Sequence, residues 1–120
     1  MEQRTIKFKV DDQQLEMLTP FQTFGANTVN YIRCEFDFVP GYWDGFTATY
    51  AVWYTGSNPR QEDVVASEIV AGETVIPAEM LKRPGVLQMN LCANYIVDGV
   101  LKARMTSYPV NVLKLVKTNV

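Results

Sequence analysis

Histidine is absent from this sequence. Its absence removes the side chain most often used as a general base, as the partner of a catalytic serine and as a metal ligand. The only two cysteines, Cys34 and Cys92, are too far apart to form a zinc-binding motif without histidine. The glycine patterns that hold phosphates, GxGxxG and GxxxxGK[ST], are also missing. We therefore expect no metal and no cofactor.

Acidic pairs are the remaining candidates for catalysis, because two carboxyl groups suffice for glycoside hydrolysis. Glu35 with Asp37, and Asp11 with Asp12, are close enough in sequence to be considered. Each pair lies on the polar side of an alternating segment or in a turn, where solubility explains it. We predict a protein without enzymatic activity.

Long apolar runs and basic clusters are missing as well. The first ten residues, MEQRTIKFKV, have no apolar core typical of a signal peptide, and no segment is long enough to cross a bilayer. The 11 basic residues are scattered among 13 acidic ones, for a net charge of -2. A surface that neutralises a row of phosphates needs clustered positive charge. We expect neither a membrane nor a nucleic acid as partner.

The cysteines are expected to be reduced if the protein is made in a cytosol. Both lie in apolar alternating segments, where cysteine usually acts as a small hydrophobic residue. A disulfide between Cys34 and Cys92 remains an alternative, because an immunoglobulin-like sandwich pairs such residues beside a tryptophan, and Trp53 follows Cys34.

Alternating apolar and polar residues dominate the rest of the chain. At 120 residues, with 48% hydrophobic and 20% charged residues, the composition is that of a globular protein, and we expect one domain over 1–120. The period-two pattern predicts short strands. They are Thr5–Val10, Leu15–Leu18, Tyr31–Phe38, Phe46–Tyr54, Val64–Val70, Glu73–Ile76, a long strand from Gly85, Val100–Ser107 and Val110–Val116.

The connections follow from turn residues. Asp44–Gly45 and Asp98–Gly99 each lie between alternating segments and predict two hairpins. Residues 19–29 and 55–63 are rich in Pro, Gly, Ser and Asn and predict loops. Pro109 predicts an edge strand or a bulge for the last segment.

A short helical turn is predicted near 77–83. Pro77 suits a helix start, and Pro84 disfavours the helical conformation at the residue before it. The turn would carry the chain from one sheet to the other, with Met80 and Leu81 closing the end of the core. About eight strands with one such turn predict an all-β fold, a single β-sandwich of the immunoglobulin-like or jelly-roll kind.

Candidate contact residues lie in the loops, since binding residues concentrate on loops held by a rigid scaffold. The set consists of Tyr42, Trp43, Asp44, Ser57, Asn58 and Arg60. If Tyr42 and Trp43 are exposed, they could stack on sugar rings, as in carbohydrate-binding sandwich modules. The alternative is that this loop folds its aromatic rings back over the end of the sandwich, burying apolar area.

The segment IPAEMLKRPGVLQMN, residues 76–90, resembles the N-terminal β-sandwich domain of the baseplate upper protein family of bacteriophages and prophages of Gram-positive hosts. The preceding FTATYAVWYTG, residues 46–56, suits the same family, and the resemblance extends over residues 46–112. It implies a virion structural protein, made in the host bacterial cytoplasm. Such a protein would have no enzymatic activity and would bind other phage structural proteins, in several copies.

The resemblance is incomplete at the C-terminal side. Baseplate upper proteins continue into a helical linker and a second domain, whereas this sequence ends at Val120. A tail or baseplate component, a neck protein, a head decoration protein and a fibre anchor all remain open. A carbohydrate-binding module and a structural domain of a larger cell-surface protein are the alternatives.

Overall fold

The computed structural model describes residues 4–29, 31–56 and 60–117. Within them the chain forms an all-β sandwich of ten strands, with two short 3₁₀ helices at Gln61–Asp63 and Ala78–Lys82. The strands are β1 Arg4–Asp11, β2 Gln14–Met17, β3 Gln22–Gly25, β4 Ile32–Phe38, β5 Ala48–Thr55, β6 Val65–Glu68, β7 Glu73–Val75, β8 Gly85–Val97, β9 Val100–Thr106 and β10 Val110–Val116. The predicted β-sandwich is confirmed.

The strands form two mixed sheets. The first sheet has the order β2-β1-β4-β7, and β1 runs parallel to β4. The second has the order β3-β10-β8-β5-β6, with β9 also paired to β8 and β3 parallel to β10. One edge of β8 pairs with β5 along Leu87–Asn94, and its other edge pairs first with β10 and then with β9.

The core lies between the sheets and follows the alternation of the sequence. The first sheet contributes the apolar positions of β1 and β4, where the rings of Phe8 and Phe36 stack with centroids 5.1 Å apart. The second contributes Trp53 and the odd-numbered positions of β8. The buried side chains of these four strands are Ile6, Phe8, Val10, Ile32, Cys34, Phe36, Ala51, Trp53, Leu87, Met89, Leu91 and Ala93.

The predicted turn near 77–83 is confirmed as the 3₁₀ helix Ala78–Lys82. The peptide N–H of Met80 donates to the Pro77 carbonyl at 2.9 Å, and Arg83 returns to the extended conformation. The turn connects β7 in the first sheet to β8 in the second. Met80 and Leu81 are buried and close this end of the core.

One predicted hairpin is confirmed and the other is wrong. Asp98 and Gly99, both with positive φ, connect the antiparallel strands β8 and β9, as Asp-Gly favours in a tight hairpin. Asp44 and Gly45 connect strands of different sheets. Both edges of β4 are occupied, by β1 and β7, so β5 cannot pair with it. Residues 39–47 instead cross the end of the sandwich.

Two other expectations need correction. Residues 19–29 contain strand β3, which at four residues is too short to show an alternating pattern and pairs in parallel with the distant β10. Strand β10 is not an edge strand, since it lies between β3 and β8. It does contain an irregularity between Asn111 and Leu113, in keeping with the predicted bulge.

The two cysteines are free and lie in different sheets. Cys34 is fully buried, and burial raises the pKa of its thiol to about 12. Cys92 is half-buried on the outer face of the second sheet, where it is paired with Tyr50 of β5.

Gly85, the first residue of β8, should be intolerant of a side chain. Its φ is +128°, and a Cβ atom there would lie 2.7 Å from Thr55 Cγ2. Strained backbone and close contact together predict that Gly85→Ala lowers the free energy of unfolding by about 2 kcal/mol or more, measured in urea. Gly99→Ala is the control, because nothing lies within 4 Å of its Cβ position. An equal loss in both variants would show that the contact with Thr55 is unimportant.

Candidate assembly surface

The structure separates the predicted contact residues between the two ends of the sandwich. Residues 39–47 enter β5 at Ala48, and the loop that holds Arg60 leaves after Thr55, at the opposite end of the same strand. Arg60 is exposed and lies 3.8 Å from Glu62, an ion pair too open to solvent to hold either side chain firmly. Ser57 and Asn58 lie outside the described residues. Tyr42, Trp43 and Asp44 therefore form a group without Arg60.

Trp43 is turned inward. Its indole is 7% exposed, and its Nε1 donates a hydrogen bond to the Asp12 carbonyl oxygen at 2.6 Å. The ring makes edge contacts with Phe38 and Tyr42, with centroids 6.0 and 5.8 Å away. The indole thus closes the end of the sandwich, while Tyr42 remains 38% exposed.

Asp44 fixes the shape of the loop beside this indole. Its carboxylate accepts a hydrogen bond from the Gly41 peptide N–H at 2.8 Å. A shallow cavity of about 210 Å³ lies next to it, lined by Phe38, Trp43, Asp44 and Thr49. The cavity has an aromatic wall and one carboxylate at its rim.

The outer face of the first sheet is charged. Because apolar side chains of β1 and β4 point inward, the alternate positions point outward. Most of those positions carry charge, and Arg33 is within 2.9 Å of Glu35 and 3.5 Å of Glu73. The charged residues of this face are Lys7, Lys9, Asp11, Glu16, Arg33, Glu35, Asp37 and Glu73. Such a face favours contact with water.

The outer face of the second sheet is different, and its central part is here named the neutral face. It is formed by tyrosine, amide and small apolar side chains at the even-numbered positions of β5 and β8, together with Asn111 of β10. Its residues are Tyr50, Val52, Tyr54, Gln88, Asn90, Cys92, Asn94 and Asn111. Gln88 Nε2 donates to Asn111 Oδ1 at 2.8 Å, so neighbouring amides already pair along the surface.

Charge appears on the neutral face only at its rim, within the described residues. At one edge, Glu68 of β6 is the cross-strand partner of Tyr50. At the other edge, Arg104 of β9 is the cross-strand partner of Asn94. Lys114 of β10, paired with Val86, lies beyond the Gln88 end. A tyrosine-rich and charge-poor surface has the composition typical of the centre of a protein interface.

The hairpin of β8 and β9 extends beyond the sandwich as an arm, residues 95–101. The last pairing of β5 with β8 is Ala48 with Asn94, so further residues of β8 pair with β9 alone. The arm carries exposed apolar side chains: Tyr95, Ile96, Val100 and Leu101 are 41% to 54% exposed. The molecule is elongated, with extents of 50 × 29 × 25 Å, as expected for a sandwich with a projecting hairpin.

Two features hold the arm in place. Thr47 Oγ1 accepts a hydrogen bond from the Ile96 N–H at 2.9 Å and thereby ties the base of the arm to residues 39–47. The β8–β9 ladder shifts register between Tyr95 and Ile96, which leaves Lys102 of β9 as the extra residue of a bulge. The arm and Tyr42 therefore belong to the same end of the molecule.

Within residues 4–29, 31–56 and 60–117, no group of three or more metal-ligating side chains could hold a metal ion. The same part of the chain contains no helix that is both long and apolar enough to cross a bilayer.

Sequence reasoning missed the neutral face and the arm. The signal was available in the alternation of β8, since three of its outward residues, Gln88, Asn90 and Asn94, are amides and none is charged, where the outward residues of β1 and β4 are mostly charged. The exposed arm was harder to find, because an apolar alternation at the end of a long strand is indistinguishable from a core segment.

Taken together, these features define an all-β sandwich domain with a projecting arm and one charge-poor outer face. The chain is similar in structure to the N-terminal domain of phage TP901-1 ORF48, a baseplate protein. The similarity covers 98% of each chain, with a TM-score of 0.52 and 11% sequence identity. The resemblance drawn from residues 76–90 is thus supported by a shared fold. No family model matches this chain, and no curated protein matches it.

Replacement of Trp43 should weaken the fold before it alters any binding. We expect Trp43→Phe, which removes the hydrogen bond to Asp12 and part of the ring, to lower the free energy of unfolding by about 2 kcal/mol. Tyr42→Ala, at the exposed neighbour, should cost less than about 1 kcal/mol. Urea unfolding followed by tryptophan fluorescence or circular dichroism measures both. Equal stability of Trp43→Phe and the native protein would contradict the buried position of the indole.

Proposed function

We propose that this protein is a structural component of a bacteriophage virion that works by binding other virion proteins and catalyses no reaction. The observation that carries the proposal is its likeness, over 98% of both chains, to a domain of a phage baseplate protein. The sandwich supports it further, because its distinctive features are an exposed arm and a neutral face rather than a convergent set of reactive groups. Residues 1–120 would act as a single module in a tail, baseplate, neck or head accessory position.

The arm end of the sandwich is the proposed contact with other virion proteins. Tyr42 is exposed there, and Tyr95 and Val100 lie on the arm with 43% and 54% of their surface open to solvent. Burial of such side chains in a partner surface would contribute roughly 1 to 3 kcal/mol each. Tyrosine is also among the residues that most often dominate binding energy at interfaces. Arg60, at the opposite end, is proposed as a secondary contact.

Co-assembly with virion proteins tests this role. Expressed beside the structural proteins encoded by neighbouring genes, the tagged chain should co-purify with at least one of them. The variant Tyr95→Ser, Val100→Ser should lose most of that protein because it removes the apolar contacts of the arm. The matched control is Val116→Ser, which changes an exposed apolar residue of β10 away from the arm. No co-purification with any structural protein would overturn the proposed function.

A second candidate function is carbohydrate binding, favoured by the cavity of about 210 Å³ beside Trp43. An aromatic wall and a carboxylate at the rim are groups that could contact the apolar face and the hydroxyl groups of a sugar. The exposed ring of Tyr42 would extend the contact.

A glycan array distinguishes this candidate from protein assembly alone. If the cavity binds sugar, the native protein should give a positive signal, and Tyr42→Ala together with Asp44→Asn should lower it at least tenfold without unfolding the domain. Tyr108→Ala, at a tyrosine 58% exposed, is the control. A native protein that binds no glycan would exclude the candidate while leaving the structural role untouched.

A further inference from the structure

The two outer faces of the sandwich differ strongly in charge, so the free energy cost of covering them with another protein also differs. The face of the first sheet is covered with charge, and burial of those groups would require partners for nearly all of them. The neutral face presents tyrosine rings and amides, which can be buried if the amides find hydrogen bonds. Tyr54 already has a phenol pKa raised by partial burial. The neutral face is therefore the one that can be covered at low cost.

The neutral face is large enough for a small interface. From Gln88 to Ile96, β8 extends about 26 Å at the usual rise per residue, and the face is on average three strands, roughly 14 Å, wide, because β6 and β9 each flank only part of this length. Each molecule therefore offers roughly 370 Å² in projection, or about 750 Å² for two molecules, the size of a weak or transient contact. The relief of the side chains adds to this area.

The charged residues at the rim of the neutral face, Glu68 and Arg104, indicate which partner covers that face. Glu68 and Arg104 lie on opposite edges of the same face, because Glu68 pairs with Tyr50, Tyr50 with Cys92, and Arg104 with Asn94. Their backbone positions are offset by two residues, about 7 Å, along the strands, a distance that two long charged side chains can span. Among the described residues neither side chain forms an ion pair within its own chain. Arg104 Nε donates to Asn94 Oδ1 at 3.2 Å, which leaves the other guanidinium donors for a partner.

A second copy of this chain has the matching surface. A two-fold axis that runs parallel to the strands, between β5 and β8, places β9 of one molecule over β6 of the other. Arg104 of each copy would then face Glu68 of its partner, so that the contact is made twice. Two neutral centres would meet without repulsion, and amides can pair with amides because each has a donor and an acceptor. Such an interface is isologous, as in most homodimers.

We infer that the neutral face is a homodimer interface, in which Arg104 of each copy pairs with Glu68 of the other across a two-fold axis parallel to the strands. This deepens the proposed function, on which it rests for its biological setting, by naming one partner of the assembly. The apolar side chains of Ile96 and Leu101, which share the outer side of the arm, extend the interface beyond the sandwich.

Charge reversal tests the pairing. Sedimentation equilibrium of the purified chain should detect a dimer. Arg104→Glu alone and Glu68→Arg alone should each raise the dissociation constant at least about tenfold, since each turns two attractive contacts into two repulsive ones. The double variant, Arg104→Glu with Glu68→Arg, should restore dimer formation to near the native level. That restoration separates a charge contact from a folding defect.

The control is Lys9→Glu, a charge reversal on the outer face of the first sheet. It should leave the dissociation constant unchanged. A chain that stays monomeric at the highest soluble concentration would overturn the inference, as would a dimer that Arg104→Glu does not weaken or that the double variant fails to restore.

Cys92 supplies an independent readout, because it lies near the proposed axis on the neutral face. Cys34 is buried with a thiol pKa of about 12, so labelling by a maleimide near neutral pH reports on Cys92. The labelling rate should fall as the native protein is concentrated through its dimer range, and should stay constant for Arg104→Glu. A rate independent of concentration in both proteins would contradict burial of the face.

The outcomes distinguish this inference from the proposed function. A monomer that still co-purifies with virion proteins through the arm would refute the homodimer and support the structural role. A dimer that binds no virion protein would support the homodimer and refute the structural role.

Discussion

The long strand β8 is the constraint on which the rest of the structure depends. Both of its edges are hydrogen bonded, to β5 on one side and to β10 and β9 in succession on the other. Its inward residues, Leu87, Met89, Leu91 and Ala93, are fully buried, so a shift of one residue would expose the whole set. The register of β8 therefore sets the register of three neighbouring strands. Its outward residues, in turn, determine the character of the neutral face.

The two sheets are also tied by a polar contact within the sandwich. Trp53 Nε1 in β5 and Thr74 Oγ1 in β7 each lie 2.9 Å from Ser67 Oγ in β6, so one hydroxyl links strands of both sheets. Trp53 is fully buried, and its indole N–H would be unpaired without this serine. The contact lies at the β6 side of the second sheet, next to Glu68. The short strand β6 thus contributes a hydrogen-bonding hydroxyl to the interior, from Ser67, and a charged side chain to the outer face, from Glu68.

Local sequence predicted the parts of the fold that depend on local interactions. Pro77 and Pro84 bound the 3₁₀ turn, and Asp98 with Gly99 forms the hairpin, because each conformation is decided within a few residues. The parallel pairs β1–β4 and β3–β10 could not be predicted in this way, since their partners are distant in sequence. The hairpin predicted at Asp44–Gly45 is wrong for the same reason. Its residues suit a hairpin, but both edges of β4 are already paired, with β1 and β7.

The candidate contact residues show a similar limit. The sequence placed Tyr42, Trp43 and Asp44 in a loop, but only the packed structure shows that the indole reaches Asp12 and is covered. Likewise, Tyr50, Asn90 and Asn94 are unremarkable one at a time. Their meaning comes from three-dimensional adjacency across strands and from contrast with the charged face of the other sheet.

The bulge at Lys102 affects whether another molecule can add a strand to the edge of β9. Among the described residues, no strand pairs with the edge of β9 that faces away from β8, although the Thr106 carbonyl at its end accepts a hydrogen bond from Gln13 Nε2 at 3.1 Å. An edge that continued regularly could accept a strand from another molecule and start an open-ended fibre. The extra residue interrupts the spacing of backbone donors and acceptors, and its ammonium group would have to be stripped of water at the point of contact. Addition of a strand at this edge is thereby disfavoured, whereas face-to-face contact stays possible. The bulge therefore protects this edge of β9 against addition of a strand from another molecule.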